Sequence, residues 1–123
     1  MIYLVLGMHK SGTTLISQML HQSGVNMGDF DVNVTYDKGN KYERESTKQL
    51  NKAILNCGNA ISVSVNHIPP LDQISLKYYE QAEEIISQLN QTFKDWGFKD
   101  PRSSLLCHFW TPLLKPYKVI FVY

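Results

Sequence analysis

The chain has 123 residues, enough for one domain with one hydrophobic core but not for two. Hydrophobic residues make up 43% of it and charged residues 19%, which is globular composition and argues against a disordered or fibrous chain. Lys and Arg total 12 and Asp and Glu total 11, so the net charge of +1 gives no electrostatic basis for general nucleic-acid binding. We therefore expect residues 1–123 to form a single α/β domain with no nucleic acid among its partners.

The cysteines and the N-terminus indicate where the protein resides. Cys57 and Cys107 are too few for a disulfide framework and fit no zinc motif, so we expect buried thiols in a reducing compartment. The apolar run from Met1 to Leu6 lacks a basic lead-in and is far too short for a signal peptide or a membrane span. These features predict a cytoplasmic protein that does not act at a membrane.

The chain opens with the pattern of a buried strand, a glycine loop and a helix. Ile2 to Leu6 is a continuous apolar run of strand-forming residues, and Gly7 closes it. Apolar residues then recur with helical spacing over residues 15–20, and Gly24 follows as a C-terminal cap. Residues 25–41 are polar and contain Gly, Asn and Asp, which indicates a loop.

The middle of the chain predicts two further helices. Helical spacing returns over residues 50–57, with Gly58 as a cap. The clearest helix of the chain is capped by Asp72 and carries apolar residues from Ile74 to Phe93. Aromatic residues of this helix and of the segments after it are expected to pack in the core and between helices: Tyr78, Tyr79, Phe93, Trp96, Phe109 and Trp110. Residues 60–65 alternate only weakly, which favours an extended segment over a strand.

The last part of the chain predicts two strands with a helix between them. Residues 96–98 form a short strand, Ser103 caps a helix that Pro112 ends, and residues 118–123 form another strand of the buried type. A domain seldom stops inside a central apolar strand, because a loop or helix must follow to cover it. We therefore expect a fold truncated at its C-terminus, with self-association along the exposed last strand.

Residues 7–14 have the composition of a phosphate-binding loop. Glycines let the backbone wrap closely, successive N–H groups point inward, and the positive end of the helix dipole lies beneath. Lys10 adds a positive charge. Hydroxyl donors come from Ser11, Thr13 and Thr14. The alternative is a tight strand-to-helix turn with no ligand.

The position of the lysine separates this loop from the standard nucleoside triphosphate loop. In G-x-x-x-x-G-K-[ST] the lysine follows the second glycine and reaches the β- and γ-phosphates. Here Thr13 holds that position, and the lysine lies earlier, at Lys10. This arrangement disfavours transfer of the γ-phosphoryl group of ATP and favours a ligand with a different distribution of negative charge.

Three segments match the motifs of one known family in type and order. They are His9-Lys10-Ser11-Gly12-Thr13-Thr14, then Asn40-Lys41-Tyr42-Glu43 followed by Leu50-Asn51 and Leu55, then Trp96-Gly97-Phe98-Lys99-Asp100-Pro101-Arg102. The first resembles the 5′-phosphosulfate loop of the sulfotransferases, P-K-S-G-T-T/S, with His9 where the family has proline or arginine. The second is similar to their G-x-x-E…L-N…L stretch, and the third resembles W-x-x-K-D-P-R of bacterial members.

The resemblance implies a P-loop NTPase-like, three-layer α/β/α fold with a parallel sheet. It also implies 3′-phosphoadenosine 5′-phosphosulfate (PAPS) as the donor, transfer of its sulfuryl group to a hydroxyl or amine, and no metal. The donor would be bound by His9, Lys10, Ser11, Gly12, Thr13 and Thr14. Lys10 would also be catalytic, because it stabilises charge on the bridging oxygen. The family residues that bind the 3′-phosphate would lie beyond Tyr123.

Further site residues follow from the other two segments. Glu43 is the candidate catalytic base, and the alternative is a solvated glutamate in the first turn of a helix. Lys99 and Arg102 flank a strand end on the side of the loop, where they would orient donor or acceptor; the alternative is a structural ion pair with Asp100. Some family members use a histidine base, for which His67 is a second candidate.

The sequence does not identify the acceptor, and it leaves two alternative functions. We expect a small-molecule or carbohydrate acceptor, but the polar loop carries no pattern that identifies it. A different P-loop enzyme, such as a small kinase, would need ATP and magnesium. A non-catalytic remnant would bind at most a phosphate or a partner.

Overall fold

The computed structural model describes residues 1–7, 12–28, 43–55 and 68–122. The elements in these ranges are β1 (Ile2–Leu6), α1 (Thr13–Gln22), α2 (Glu45–Leu55), a 3₁₀ turn (Leu71–Gln73), α3 (Leu76–Thr92), β2 (Trp96–Lys99), α4 (Pro101–Leu105), α5 (Cys107–Trp110) and β3 (Tyr117–Phe121). Several predictions lie outside the described residues. They concern His9, Lys10, Ser11, Cys57, Gly58, residues 60–65, His67 and most of the polar loop.

The three strands form one parallel sheet in the order β2-β1-β3, which confirms the α/β prediction. β1, the strand that leads into the glycine loop, is therefore the middle one of the described strands. In the register of the sheet, Val5 lies opposite Lys99 on one side and opposite Ile120 on the other. Because parallel strands end at the same edge, Lys99 lies beside the end of β1, where such sheets bind ligands.

Side chains of β1 alternate between two separate apolar clusters. Ile2, Leu4 and Leu6 belong to a large cluster that also contains residues of α2, α3 and α5. Val5 belongs to a smaller cluster with Val25 and Met27, against which α1 packs its Ile16 and Leu20. Since successive strand residues point to opposite faces, α1 and the later helices lie against different faces of the sheet.

Aromatic side chains fill the larger cluster, as the sequence predicts. Trp96, Phe98, Phe109 and Trp110 are fully buried. The ring centroid of Trp110 lies 4.9 Å from that of Phe98 and 5.2 Å from that of Phe109. These contacts fix α5 against β2, and the short helix α4 lies between them in sequence.

Two predicted helix starts are wrong. Asp72 lies in the 3₁₀ turn, and α3 begins only after Ser75, because Ile74 between them is extended and buried. Ser103 lies inside α4, which begins earlier because the Asp100 side chain accepts a hydrogen bond from the N–H of Arg102 and proline follows at the first helical position. Gly24 follows the end of α1 with φ +108°, as expected of a helix-terminating glycine.

The last strand is less buried than predicted. β3 pairs with β1 alone among the described strands, so it lies at the edge of the described sheet, where Val119 is 42% and Phe121 61% exposed. Self-association along this edge stays a prediction. Cys107 is also only partly buried, contrary to expectation, and it forms no disulfide.

None of the helices in the described ranges is both long enough and apolar enough to cross a membrane.

Candidate functional site

The candidate site lies where β1 ends and α1 begins. Gly7 follows β1, and Gly12 precedes α1 with φ +98°, a left-handed conformation that favours glycine. A Cβ at Gly12 would lie 3.7 Å from the Val122 side chain, an ordinary contact, so the requirement for glycine is conformational. His9, Lys10 and Ser11 lie between these glycines and outside the described residues, so their roles stay predictions.

The first turn of α1 is suited to an anion. Gly12 has no side chain to cap the helix, and the first turn contains no acidic residue. The N-terminal amides therefore keep their positive potential, which attracts negative charge. Thr13 is buried at this end of the helix, and Thr14 is partly buried beside it.

Lys99 joins Thr14 to Glu43. Its Nζ donates to Oε1 of Glu43 at 3.2 Å and to Oγ1 of Thr14 at 3.3 Å. The Lys99 and Glu43 side chains are only 5% and 2% exposed. Each of the three motif-like segments in the sequence therefore contributes one residue to this cluster: Thr14, Glu43 and Lys99.

Glu43 precedes α2 and is buried, so the alternative of a solvated first-turn glutamate is wrong. Its Oε2 atom is buried and has no hydrogen-bond partner in the described part of the chain. Lys99 uses two of its three ammonium hydrogens on the contacts given above. Among the described residues, Oε2 of Glu43 and one ammonium hydrogen of Lys99 therefore have no partner, and burying such atoms unpaired is costly.

Arg44 holds Glu43 in place from the next position in the chain. Its Nη2 donates to the backbone oxygen and to Oδ1 of Asn26, both at 2.7 Å, and its Nε donates to the backbone oxygen of Gly97 at 3.1 Å. The guanidinium also lies 5.6 Å from the centroid of the Trp96 ring. Sequence reasoning missed these contacts, because no local pattern connects Asn26 with Arg44.

Arg102 has a different environment from Lys99. Its Nη1 lies 2.9 Å from Oδ1 of Asp100, and both side chains are buried. Arg102 therefore forms the ion pair with Asp100 that the sequence offered as the alternative, and its role in orienting donor or acceptor stays a prediction. Lys99 pairs instead with Glu43.

A polar network also missed in the sequence ties α4 to α2 and α5. Asn51, fully buried on α2, donates from Nδ2 to Oδ2 of Asp100 at 3.1 Å and to Oγ of Ser103 at 3.0 Å. The indole N–H of Trp110 donates to Asn51 Oδ1 at 2.8 Å. The available sign was an asparagine on the apolar side of a predicted helix, which needs buried partners.

The same helix, α4, contacts the start of the glycine loop. The backbone N–H of Gly7 donates to Oγ of Ser104 at 3.1 Å. Since the Asn51 network fixes α4, Ser104 is held where it can satisfy this amide. The network thereby sets the direction in which the chain leaves β1.

Within the described residues, no group of three or more His, Cys, Asp or Glu side chains is arranged to hold a metal ion.

No family model, curated protein or solved structure matches the chain.

Proposed function

We propose that the protein is a sulfotransferase that binds PAPS at the loop of residues 7–14 and transfers its sulfuryl group to a hydroxyl or amine. The observation that carries the proposal is Lys99, whose ammonium group contacts both Thr14 and Glu43. The central parallel strand, glycine loop and helix are consistent with a P-loop NTPase-like, three-layer architecture.

The residues fit an anionic donor. The uncapped N-terminus of α1 and the hydroxyl of Thr14 offer hydrogen-bond donors, and Lys99 has one ammonium hydrogen left. We assign the remaining donor contacts to His9, Lys10, Ser11, Gly12 and Thr13. Lys10 is proposed to stabilise the charge that develops on the bridging oxygen as the donor is cleaved.

Glu43 is the proposed base. Its unpartnered Oε2 can accept the proton of the acceptor hydroxyl or amine. The acceptor oxygen or nitrogen then forms a bond to sulfur, and the bond from sulfur to the bridging oxygen breaks. Adenosine 3′,5′-bisphosphate leaves with that electron pair. We propose a small-molecule or carbohydrate acceptor.

Calorimetric titration with adenosine 3′,5′-bisphosphate, with and without magnesium, tests the proposal. We expect binding that does not depend on magnesium and that Lys10→Ala weakens about tenfold, the typical effect of losing one charged contact of about 1.4 kcal/mol. Lys94→Ala is the matched control, because this exposed lysine lies before β2, at the opposite edge of the sheet.

Two results would contradict the proposal. A folded wild-type chain that binds no nucleotide would favour the non-catalytic alternative. Binding of ATP alone, and only with magnesium, would favour the kinase.

A further inference from the structure

We propose that Lys99 couples the two halves of this site, so that an anion bound at the loop and the carboxylate of Glu43 compete for one ammonium group. A bound donor would then draw Lys99 away from Glu43 and make the carboxylate available to the acceptor. This inference rests on the proposed function, because it assumes that the loop binds an anion.

The position of Nζ is the first observation. It lies 3.3 Å from Oγ1 of Thr14, the second residue of α1, and 3.2 Å from Oε1 of Glu43. An anion attracted to the first turn of α1 therefore arrives next to an ammonium group that a carboxylate already holds. Lys99 is the last residue of β2, so the rigid sheet fixes where its side chain begins.

The incomplete hydrogen bonding of Glu43 is the second observation. Lys99 is the hydrogen-bond partner that the structure gives this carboxylate, and Oε2 has none among the described residues. When an anion draws Lys99 toward the loop, both oxygens of a buried carboxylate need new donors. The hydroxyl or amine of the acceptor supplies such a donor, so the geometry favours donor binding before acceptor binding.

The coupling has a defined sign. The donor anion and the Glu43 carboxylate are both negative, and the side chains of Glu43 and Lys99 are buried, where charges interact more strongly than in water. Neutralising Glu43 should therefore strengthen anion binding, because a neutral amide holds the Lys99 ammonium group less strongly than the carboxylate does. The reciprocal effect must be equal, since coupling between two sites is a single free energy.

A double-mutant cycle measures the coupling, with adenosine 3′,5′-bisphosphate as the calorimetric probe. We expect Glu43→Gln to bind the probe about tenfold more tightly than the wild type, and Lys99→Met to bind it about tenfold more weakly. In the Lys99→Met background, Glu43→Gln should change the affinity less than about twofold, because no ammonium group is left to release. Glu45→Gln, which neutralises an exposed glutamate two positions away, is the control and should leave the affinity unchanged.

The outcomes separate the coupling from the proposed function. A folded wild-type chain that does not bind the probe contradicts both. Binding by the wild type that Glu43→Gln leaves unchanged or weakens contradicts the coupling alone. If Glu43→Gln strengthens binding of the probe equally in the Lys99→Met background, the effect comes from direct repulsion between Glu43 and the anion. That result would contradict the coupling through Lys99.

A second variant covers the case in which Glu43→Gln does not fold, as judged by circular dichroism. Glu43→Asp keeps the charge but shortens the side chain by one methylene, which weakens its hold on Lys99. We expect about threefold tighter binding of the probe. Unchanged or weaker binding would contradict the coupling.

Discussion

The neighbouring residues Lys99 and Asp100 belong to two different buried ion pairs, one with Glu43 and the other with Arg102. The two pairs differ in how many hydrogen bonds their carboxylate oxygens accept. Asp100 accepts at Oδ1 from the backbone and side chain of Arg102 and at Oδ2 from Asn51. Glu43 accepts at Oε1 from Lys99 and has Oε2 unpartnered within the described residues. A buried carboxylate stabilises the fold when both of its oxygens accept hydrogen bonds, whereas a buried carboxylate with an available oxygen is suited to binding a ligand.

The two pairs also differ in what they connect. Asp100 and Arg102 lie two positions apart and cap the start of α4. Glu43 and Lys99 are 56 positions apart and join the start of α2 to the end of β2. The first pair builds a helix terminus, and the second brings distant segments to the glycine loop. Asp100 therefore belongs to the framework of the fold, whereas Glu43 has the contacts of the proposed site.

Replacing each carboxylate by its amide gives the largest expected difference. Asp100→Asn should lower the free energy of unfolding by about 3 kcal/mol, because both oxygens accept and either orientation of the amide sets donor against donor. Glu43→Gln should cost less, about 2 kcal/mol, because the buried Lys99 loses its opposite charge but the amide oxygen can still accept from it, and no other hydrogen bond to Glu43 is broken among the described residues. Urea denaturation measures both values. Equal losses would show that the pairs are equivalent.

The glycines at the two ends of α1 allow an effect on stability to be separated from an effect on nucleotide binding. Gly12 and Gly24 both have left-handed φ, of +98° and +108°, and neither would meet a close contact through a Cβ. Each Gly→Ala change should therefore lower the free energy of unfolding by about 1 kcal/mol. Only Gly12→Ala should also weaken the binding of adenosine 3′,5′-bisphosphate, about tenfold, because it distorts the loop. Equal nucleotide affinities in the two variants would count against a ligand at this loop.

Ser104 tests whether the framework acts on the site through α4. Ser104→Ala leaves the N–H of Gly7 without its side-chain partner, so we expect a loss of about 1 kcal/mol in stability and a roughly threefold weaker affinity for the nucleotide. Ser87→Ala, at an exposed position of α3, is the control. A loss of stability with unchanged nucleotide affinity would limit Ser104 to the framework.

Local patterns predicted the parts of the fold that depend on neighbouring residues. The strand of residues 2–6, the helix after the glycine loop and the strand predicted over residues 96–98, which extends to Lys99 in the structure, follow from hydrophobic runs and glycine positions. Helix starts at Asp72 and Ser103 were wrong because other local interactions decided the backbone first: a 3₁₀ turn in one case and the cap by Asp100 in the other.

Features that depend on distant residues could not be predicted in this way. The exposure of Phe121 depends on which strand lies in the middle of the sheet, and an apolar run alone does not show this. The contacts of Arg44 with Asn26 and of Asn51 with Trp110 join separate segments. Sequence reasoning named Glu43, Lys99 and Thr14 from three motifs, but their meeting at one ammonium group required the fold.

Loss of the exposed ion pair between Glu45 and Lys48 should have the smallest effect on the free energy of unfolding. Hydrogen bonds from Lys48 and Gln49 lower the pKa of Glu45, despite some opposing desolvation. A lowered pKa in the folded state means that the unfolded chain binds the proton more readily. This stabilisation is therefore present above the ordinary pKa of glutamate and is lost as the pH falls through the folded-state pKa.

Because the Glu45 side chain is 66% exposed, solvent screening limits its contribution to about 0.3 kcal/mol. Thermal melts of the wild type and Glu45→Gln should differ slightly near pH 7 and converge once the pH falls below the lowered folded-state pKa of Glu45, where the carboxyl group is protonated in both states. Melts at high salt should also converge, because salt screens exposed charges. A large difference that persists at high salt would mean that this pair is shielded from solvent as the Glu43 pair is, and exposure would then no longer explain why the two glutamates differ.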